Sequence, residues 1–257
     1  MPNSKFLRIK LQYSFPEQGY LMRFASAILT AIALTATAQS QTFTINYSSA
    51  SLSGTPASLP VTASTAPAPL TASSVTRSSD LVAQSVGTTP TFNSSNFPTV
   101  STVSSGVRYL TVTLNPNGGV LDLNSVTFLV NRDTRGPKDV FLRSSLDLFA
   151  ANLASLTNLS PNSTGTALTV TGLSGAFDTI TTPIEFRVYG VNTTDSTGLL
   201  GVLDTGGQSA VTITGGFTPV PEPAAVGLLA AAGLGLVGLY RKRVGLSLLQ
   251  REKSRET

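Results

Sequence analysis

The sequence predicts an all-β fold, an antiparallel β-sandwich of the jelly-roll type, with an N-terminal signal peptide and one C-terminal transmembrane helix. Apolar and polar residues alternate in many short segments, and turn-forming residues separate those segments. No regular alternation of strands with amphipathic helices is present. Ser and Thr make up 66 of the 257 residues, a composition that suits the exposed faces of sheets better than helices.

The N-terminal region has the three parts of a secretory signal peptide. Arg23 supplies the positive charge, residues 24–34 form an uncharged and mostly apolar run, and small residues surround Ala38. This order of features is typical of a signal peptide, which we place at residues 22–40. Cleavage is expected after Ala38 or after Ser40.

Residues 1–21 precede this signal and show no hydrophobic periodicity. If translation begins at Met22, residues 1–21 are not part of the protein and the start at Met1 is over-called. If translation begins at Met1, they extend the basic region of the signal. The mature protein is expected to lack them in either case. The other interpretation of the apolar run is a buried core helix of a soluble protein, but no amphipathic stripe supports it.

Residues 41–218 are expected to form the β-sandwich domain. Alternating segments lie at 42–47, 110–114, 125–131, 139–143, 167–171, 184–191, 199–203 and 210–214. Clusters of Gly, Pro and Asn between them predict turns. Residues 54–74 are rich in Pro, Ala, Ser and Thr, which suits a linker or a loop at the edge of the sandwich. We favour the loop, because the strand at 42–47 needs a partner.

One helical candidate is present, at residues 145–153, where apolar side chains recur at i, i+3 and i+7 and one or two turns are expected. Arg143 would end a strand, and Asp147 would lie near the start of this helix. A bidentate bond between them would lock the strand-to-helix turn. Alternatively, Asp147 stabilises the positive end of the helix, or the pair binds sugar hydroxyls.

The C-terminal region contains a membrane-spanning candidate. The sequence Val220-Pro221-Glu222-Pro223 precedes 17 uncharged, apolar residues at 224–240. As a helix these residues span about 25 Å, the lower limit for crossing a hydrocarbon core. The two prolines cannot extend the helix backwards, so Glu222 is expected in extended chain just outside the membrane.

A basic cluster, Arg241, Lys242 and Arg243, follows the apolar run directly. The positive-inside rule places this cluster in the cytoplasm, and residues 244–257 with it as a cytoplasmic tail. The signal peptide places the β-domain on the other side of the membrane, so both ends of the chain predict one topology.

The tripartite C-terminal end, residues 220–243, resembles the PEP-CTERM sorting signal of Gram-negative bacteria. The signal peptide predicts export through the Sec translocon. The resemblance implies a transient inner-membrane anchor and recognition by an exosortase, a membrane peptidase that delivers its substrates to the cell surface or the extracellular matrix. The tail after the basic cluster is longer than is usual in such signals. The alternative is a plain single-pass anchor.

A second resemblance covers much of the predicted domain. The sequence Gly-Pro-Lys-Asp-Val-Phe-Leu-Arg-Ser-Ser-Leu-Asp-Leu-Phe-Ala at 136–150 is similar to a segment that recurs in PEP-CTERM proteins. Residues 185–190 and the Gly-Leu-Leu-Gly-x-Leu-Asp run at 198–204 fit the same pattern. This resemblance implies a jelly-roll-like β-sandwich without an assigned activity.

The composition excludes several classes of chemistry. The chain has no Cys and no His, which rules out disulfides, thiol chemistry, a Ser-His-Asp triad and His or Cys metal ligands. Glu185 is the one Glu in residues 44–219, so paired-glutamate catalysis is excluded as well. No catalytic residue, metal ligand or cofactor is predicted. A weak calcium candidate remains near the turns at Asp122, Asp178 and Asp204.

The charge distribution excludes nucleic acid as a partner. Residues 44–219 carry seven basic and nine acidic side chains, so the basic excess of the chain lies at its two ends. The domain therefore offers no positive face for a phosphate backbone.

These observations predict an exported surface or matrix protein that an exosortase sorts and whose non-catalytic β-sandwich associates with exopolysaccharide or biofilm. One alternative is a carbohydrate-binding module of the jelly-roll type that stacks sugars on Tyr47, Tyr109 or Tyr189. Tyrosines at strand positions, however, are more often core residues or cross-strand partners. A remote alternative is a secreted polysaccharide hydrolase that uses two Asp residues.

Overall fold

The fold is all-β, as predicted, in a computed structural model that describes residues 39–220 except 86–88, 105 and 163. Within these residues there is no α-helix, and so no helix that is long and apolar enough to cross a membrane. Residues Gln39–Val220 form one compact unit. The predicted transmembrane segment at 224–240, the basic cluster, the tail and all but the last two residues of the predicted signal peptide lie outside the described residues.

Fourteen strands make up the domain. They are β1 Gln41–Tyr47, β2 Val61–Ser64, β3 Thr71–Ala72, β4 Thr76–Arg77, β5 Val82–Ala83, β6 Thr91–Ser95, β7 Tyr109–Asn115, β8 Val120–Arg132, β9 Asp139–Ser144, β10 Ala154–Leu156, β11 Thr166–Thr171, β12 Ile184–Val191, β13 Leu200–Leu203 and β14 Val211–Thr218. Each predicted alternating segment corresponds to one of these strands, and β12 has the predicted bounds.

The first sheet is built around β8, which is 13 residues long. Its strand order is β2-β1-β14-β8-β13-β6-β5, and every pair is antiparallel. Val130 of β8 pairs with both Val202 of β13 and Thr166 of β11. Since a strand residue has one neighbour on each side, β11 and β13 lie on opposite sides of β8.

The second sheet has the order β10-β9-β12-β7-β3, and β4 also pairs with β7. All of its pairs are antiparallel too. The strands β2 and β3 come from residues 54–74, so this segment pairs with both sheets and is not a free linker.

The two sheets share one hydrophobic core. Alternate residues of β7, β12 and β9 are buried, and they belong to the same cluster as the buried residues of β1, β8 and β14. Among its fully buried large side chains are Phe128 of β8, Phe186 of β12 and Phe217 of β14. This arrangement is that of a sandwich, whereas assignment to the jelly-roll type stays a prediction.

The helical candidate at 145–153 forms only one short 3₁₀ turn, Ser145–Asp147. Leu148 and Phe149 both have positive φ, 59° and 62°, which ends the turn because left-handed backbone cannot continue a right-handed helix. The chain then returns along β9 to form β10. A second 3₁₀ turn spans Gly175–Phe177.

Candidate functional site

Arg143 and Asp147 do not bind each other, so the predicted bidentate bond is wrong. Arg143 Nε donates to Asn152 Oδ1 at 2.7 Å, and Nη1 donates to the Phe149 carbonyl at 2.9 Å. Asp147 Oδ2 accepts the Ala151 amide at 2.8 Å. Arg143 and Asp147 therefore each stabilise the loop that follows β9, through partners of their own.

A second arginine, Arg187, occupies the centre of the outer face of the second sheet. Its guanidinium lies 3.9 Å from the ring centre of Tyr109 on β7 and 3.8 Å from that of Phe149. Its Nε forms an ion pair with Glu185 Oε1 at 2.7 Å. A guanidinium over an aromatic ring is attracted by the negative face of that ring. This cluster ties the loop after β9 to the middle of the sheet.

The environment of Glu185 favours its charged form. Partial burial raises the pKa of Glu185, but hydrogen bonds from Arg187 and Thr111, together with the charge of Arg187, outweigh burial and hold the pKa below its usual range. Thr111 Oγ1 donates to Glu185 Oε1 at 2.6 Å. The carboxylate is thus a structural partner of Arg187.

We expect Glu185→Gln to be less stable than the unsubstituted protein by about 1–2 kcal/mol at pH 7. Because the folded pKa is depressed, this stabilisation is complete above the unfolded pKa of about 4.3 and is lost as the pH falls through the folded value. Urea unfolding followed by circular dichroism at pH 7, 5 and 3 measures the effect. The difference between the two proteins should shrink towards pH 3, and a constant difference would contradict the assignment.

The three tyrosines considered as sugar platforms are not exposed platforms. Tyr47 is fully buried, its hydroxyl donates to the Ser73 carbonyl at 2.9 Å, and burial raises its pKa. Tyr109 and Tyr189 are cross-strand partners with ring centres 5.7 Å apart, and Tyr189 is 1% exposed. Each of the three therefore packs within the domain.

The turn aspartates do not gather into a metal site. No group of three or more acidic side chains that could hold a metal exists in the described part of the chain. Asp204 accepts hydrogen bonds from the Ser48 hydroxyl and from the Ser49 and Ala210 amides. Asp178 Oδ2 accepts the Gly175 amide at 2.8 Å. These carboxylates join neighbouring loop segments.

Sequence reasoning missed an open, polar cleft of about 460 Å³ at one end of the domain. It is lined by Val82, Gln84, Ser95, Asn96, Arg135, Ser196, Thr197 and Leu199. Its charged residue, Arg135, lies 3.8 Å from Asp195 in an exposed ion pair. The lining comes from three distant parts of the sequence, so no local motif could have indicated it.

The sorting motif begins where the fold ends. β14 ends at Thr218, which pairs with Val120 of β8. Val220 is the last residue that the structure describes, and it is exposed. Pro221, Glu222 and Pro223 lie outside the described residues.

Comparison with known families gives one match, in this C-terminal region. A family model described as the PEP-CTERM protein-sorting motif matches residues 219–244. The chain carries a PEP-CTERM sorting motif. The motif marks an exported protein that an exosortase recognises and that is anchored in a membrane in transit to the cell surface. No curated protein and no solved structure matches the chain.

Proposed function

We propose that the PEP-CTERM protein is a non-catalytic β-domain that an exosortase delivers to the cell surface, where it works in or on an exopolysaccharide matrix. The observation that carries this proposal is the position of the motif: it begins at residue 219, directly after β14 ends at Thr218. The sandwich is therefore the cargo of the sorting signal.

The chemistry of the domain supports a structural role. The chain has no His and no Cys, and Glu185 is bound to Arg187. The aspartates described above accept backbone amides and hold loops in place. Exposed Ser and Thr hydroxyls on the strands suit a surface that stays hydrated in a polysaccharide gel.

The proposed topology places residues 224–240 across the inner membrane with Arg241–Lys242–Arg243 in the cytoplasm. Glu222 then lies just outside the membrane, between two prolines that keep the chain extended. An extended segment is accessible to a peptidase, so cleavage near Glu222 would release the domain.

We expect Glu222→Ala, and separately deletion of residues 241–243, to stop delivery. The protein should accumulate uncleaved in the inner membrane, and most of the surface fraction should be lost. Cell fractionation with an antibody against the domain measures this in a host that has the exosortase. Glu252→Ala, which removes a carboxylate from the tail, is the matched control and should be delivered normally. Unchanged delivery of the Glu222 variant would refute the role of the motif.

A second candidate function, carbohydrate binding, is favoured by the cleft at Arg135. Its polar lining could hydrogen-bond sugar hydroxyls, and the guanidinium could bind an acidic sugar. We expect binding of the full chain to a glycan array to be lost in Arg135→Ala and kept in Lys138→Ala, which removes an exposed charge outside the cleft. If no glycan on the array binds the protein, carbohydrate binding is refuted and only the structural role remains.

A further inference from the structure

One end of the sandwich, which we call the exit end, carries the point where the chain leaves the fold. Thr218 of β14 pairs with Val120, the first residue of β8. A short turn joins Val120 to Asn115, the last residue of β7, so the same end of the second sheet is adjacent. At this end of the second sheet, Ile184 pairs with Leu114.

The loop after β9 lies at the exit end as well. Ser144, the last residue of β9, pairs with Phe186 of β12, and the Glu185 amide donates to Ser145 Oγ at 3.0 Å. The chain continues from Ser145 to Leu153, whose amide donates back to the Leu142 carbonyl at 2.8 Å. The 3₁₀ turn Ser145–Asp147 and Leu148 thus follow the end of β9, before Phe149 turns back over the outer face of the sheet.

Leu148 stands at the tip of this loop with its side chain in solvent. It is 83% exposed, the most exposed of the large apolar residues in the described part of the chain. Its φ of 59° lies in the left-handed region, which an L-residue other than Gly, Asn or Asp seldom adopts. Leu146 beside it is 38% exposed. Strained backbone of this kind persists where surrounding structure over-determines it, and it concentrates at functional sites.

The surrounding structure does hold this loop. The Phe149 ring is packed on the guanidinium of Arg187, the Phe149 carbonyl accepts from Arg143, and Asp147 accepts the Ala151 amide. Asp147 and Phe149, the neighbours of Leu148 in sequence, thus each have a partner within the domain. The loop is braced in the conformation that presents Leu148 outward.

The length of chain beyond the exit end limits what can face it. Five residues, 219–223, separate Thr218 from the apolar run, and fully extended they reach at most about 18 Å. The headgroup layer on one side of a bilayer takes about 5–7 Å of that distance. The exit end of an anchored chain is therefore held close to the lipid surface.

We propose that Leu148 at the exit end contacts the lipid headgroup layer while the chain is anchored. This inference rests on the membrane-anchored stage of the proposed function. The partner is the lipid surface itself, since the loop at 145–153 contains no Lys or Arg and its one charge, Asp147, is bound to a backbone amide. The contact is apolar and shallow, as is typical of a single side chain at a membrane interface.

The chain has no cysteine, so single-cysteine variants of the full-length protein can carry one polarity-sensitive fluorescent probe. Leu148→Cys places the probe at the exit end. Val100→Cys is the matched control: Val100 is also an exposed apolar residue, and its carbonyl accepts the amide of Asn192, at the opposite end of β12. Both proteins are inserted in vesicles of phosphatidylethanolamine and phosphatidylglycerol that contain headgroup-labelled quencher lipid.

We expect the probe at L148C to lose about twofold more emission than the probe at V100C, because an apolar side chain at the membrane interface lies among the headgroups that carry the quencher, whereas one at the opposite end of the domain does not. Equal quenching at both positions, in vesicles that float with the protein, would overturn the lipid contact and leave the anchor intact. A chain that does not float with the vesicles would overturn the anchor and this inference together. Equal quenching combined with slow processing of Leu148→Asp in cells would assign the exit end to the peptidase instead.

Discussion

A Phe186→Ala variant should lose about 3–5 kcal/mol of the free energy of unfolding. Phe186 is fully buried on β12, which lies between β9 and β7 in the second sheet. Its ring belongs to the core that both sheets share. Removing the ring takes away apolar contacts and leaves a cavity that flanking strands cannot fill without breaking their pairing.

Phe141→Ala is the matched control for this variant. Phe141 lies on the adjacent strand β9, pairs with Tyr189 and is only partly buried. Its replacement should lower the free energy of unfolding by about 1–2 kcal/mol, because a partly exposed ring buries less apolar surface on folding. Urea unfolding of the two variants, followed by circular dichroism, measures the difference. Equal losses would show that the core does not lie between the two sheets as described.

A Gly198→Ala variant should be destabilised by about 3 kcal/mol, the upper end of the range for overpacking. A Cβ at this position would lie 2.6 Å from the Gly136 nitrogen and closer still to the carbonyl of Arg135. All of these atoms belong to backbone, which cannot rotate away as a side chain can. The loop around Gly136 is also held, because Asp133 Oδ1 accepts the Gly136 amide at 2.6 Å and the Leu199 amide at 2.9 Å.

Gly106→Ala is the control for the effect of removing a glycine. A Cβ at Gly106 meets no heavy atom within 4 Å, and its φ is not positive. This variant should be unchanged or more stable by about 0.4–1 kcal/mol, because alanine lowers the entropy of the unfolded chain. Thermal unfolding of both variants tests the prediction. A Gly198 variant as stable as the Gly106 variant would contradict the close approach of the two loops.

The strands whose side chains alternate without interruption were predictable from sequence. β12 has the predicted bounds because Ile184 to Val188 alternate and the strand-favouring residues Tyr189 and Val191 continue it, although its last four residues are all buried. β14 extends four residues beyond the predicted end, through Gly215 and Gly216. Glycine has no side chain to alternate, and the register shift at Gly215 interrupts the pattern as well. The short strands β3, β4 and β5 depend on partners far away in sequence, which periodicity cannot reveal.

The candidate functional residues, like the strands, include some that were predictable from sequence and some that were not. The sorting motif was predictable because its parts are contiguous and each acts through its own sequence, and a family model matches it. The contacts of Arg187 were not, because they require the register of β7 against β12 and the return of Phe149 over the sheet. The partners of Arg143 were not predictable for a related reason: Leu148 and Phe149, both with positive φ, turn the chain back so that the Phe149 carbonyl and Asn152 reach the guanidinium.

The position of β14 determines when this domain can finish folding. β14 is the last strand in the sequence, yet it is hydrogen-bonded on both sides, to β1 and to β8. A polypeptide whose export stalls before residue 218 therefore leaves two long strand edges open, and open edges invite pairing between chains. The first sheet therefore closes only after the last strand before the sorting motif has been added.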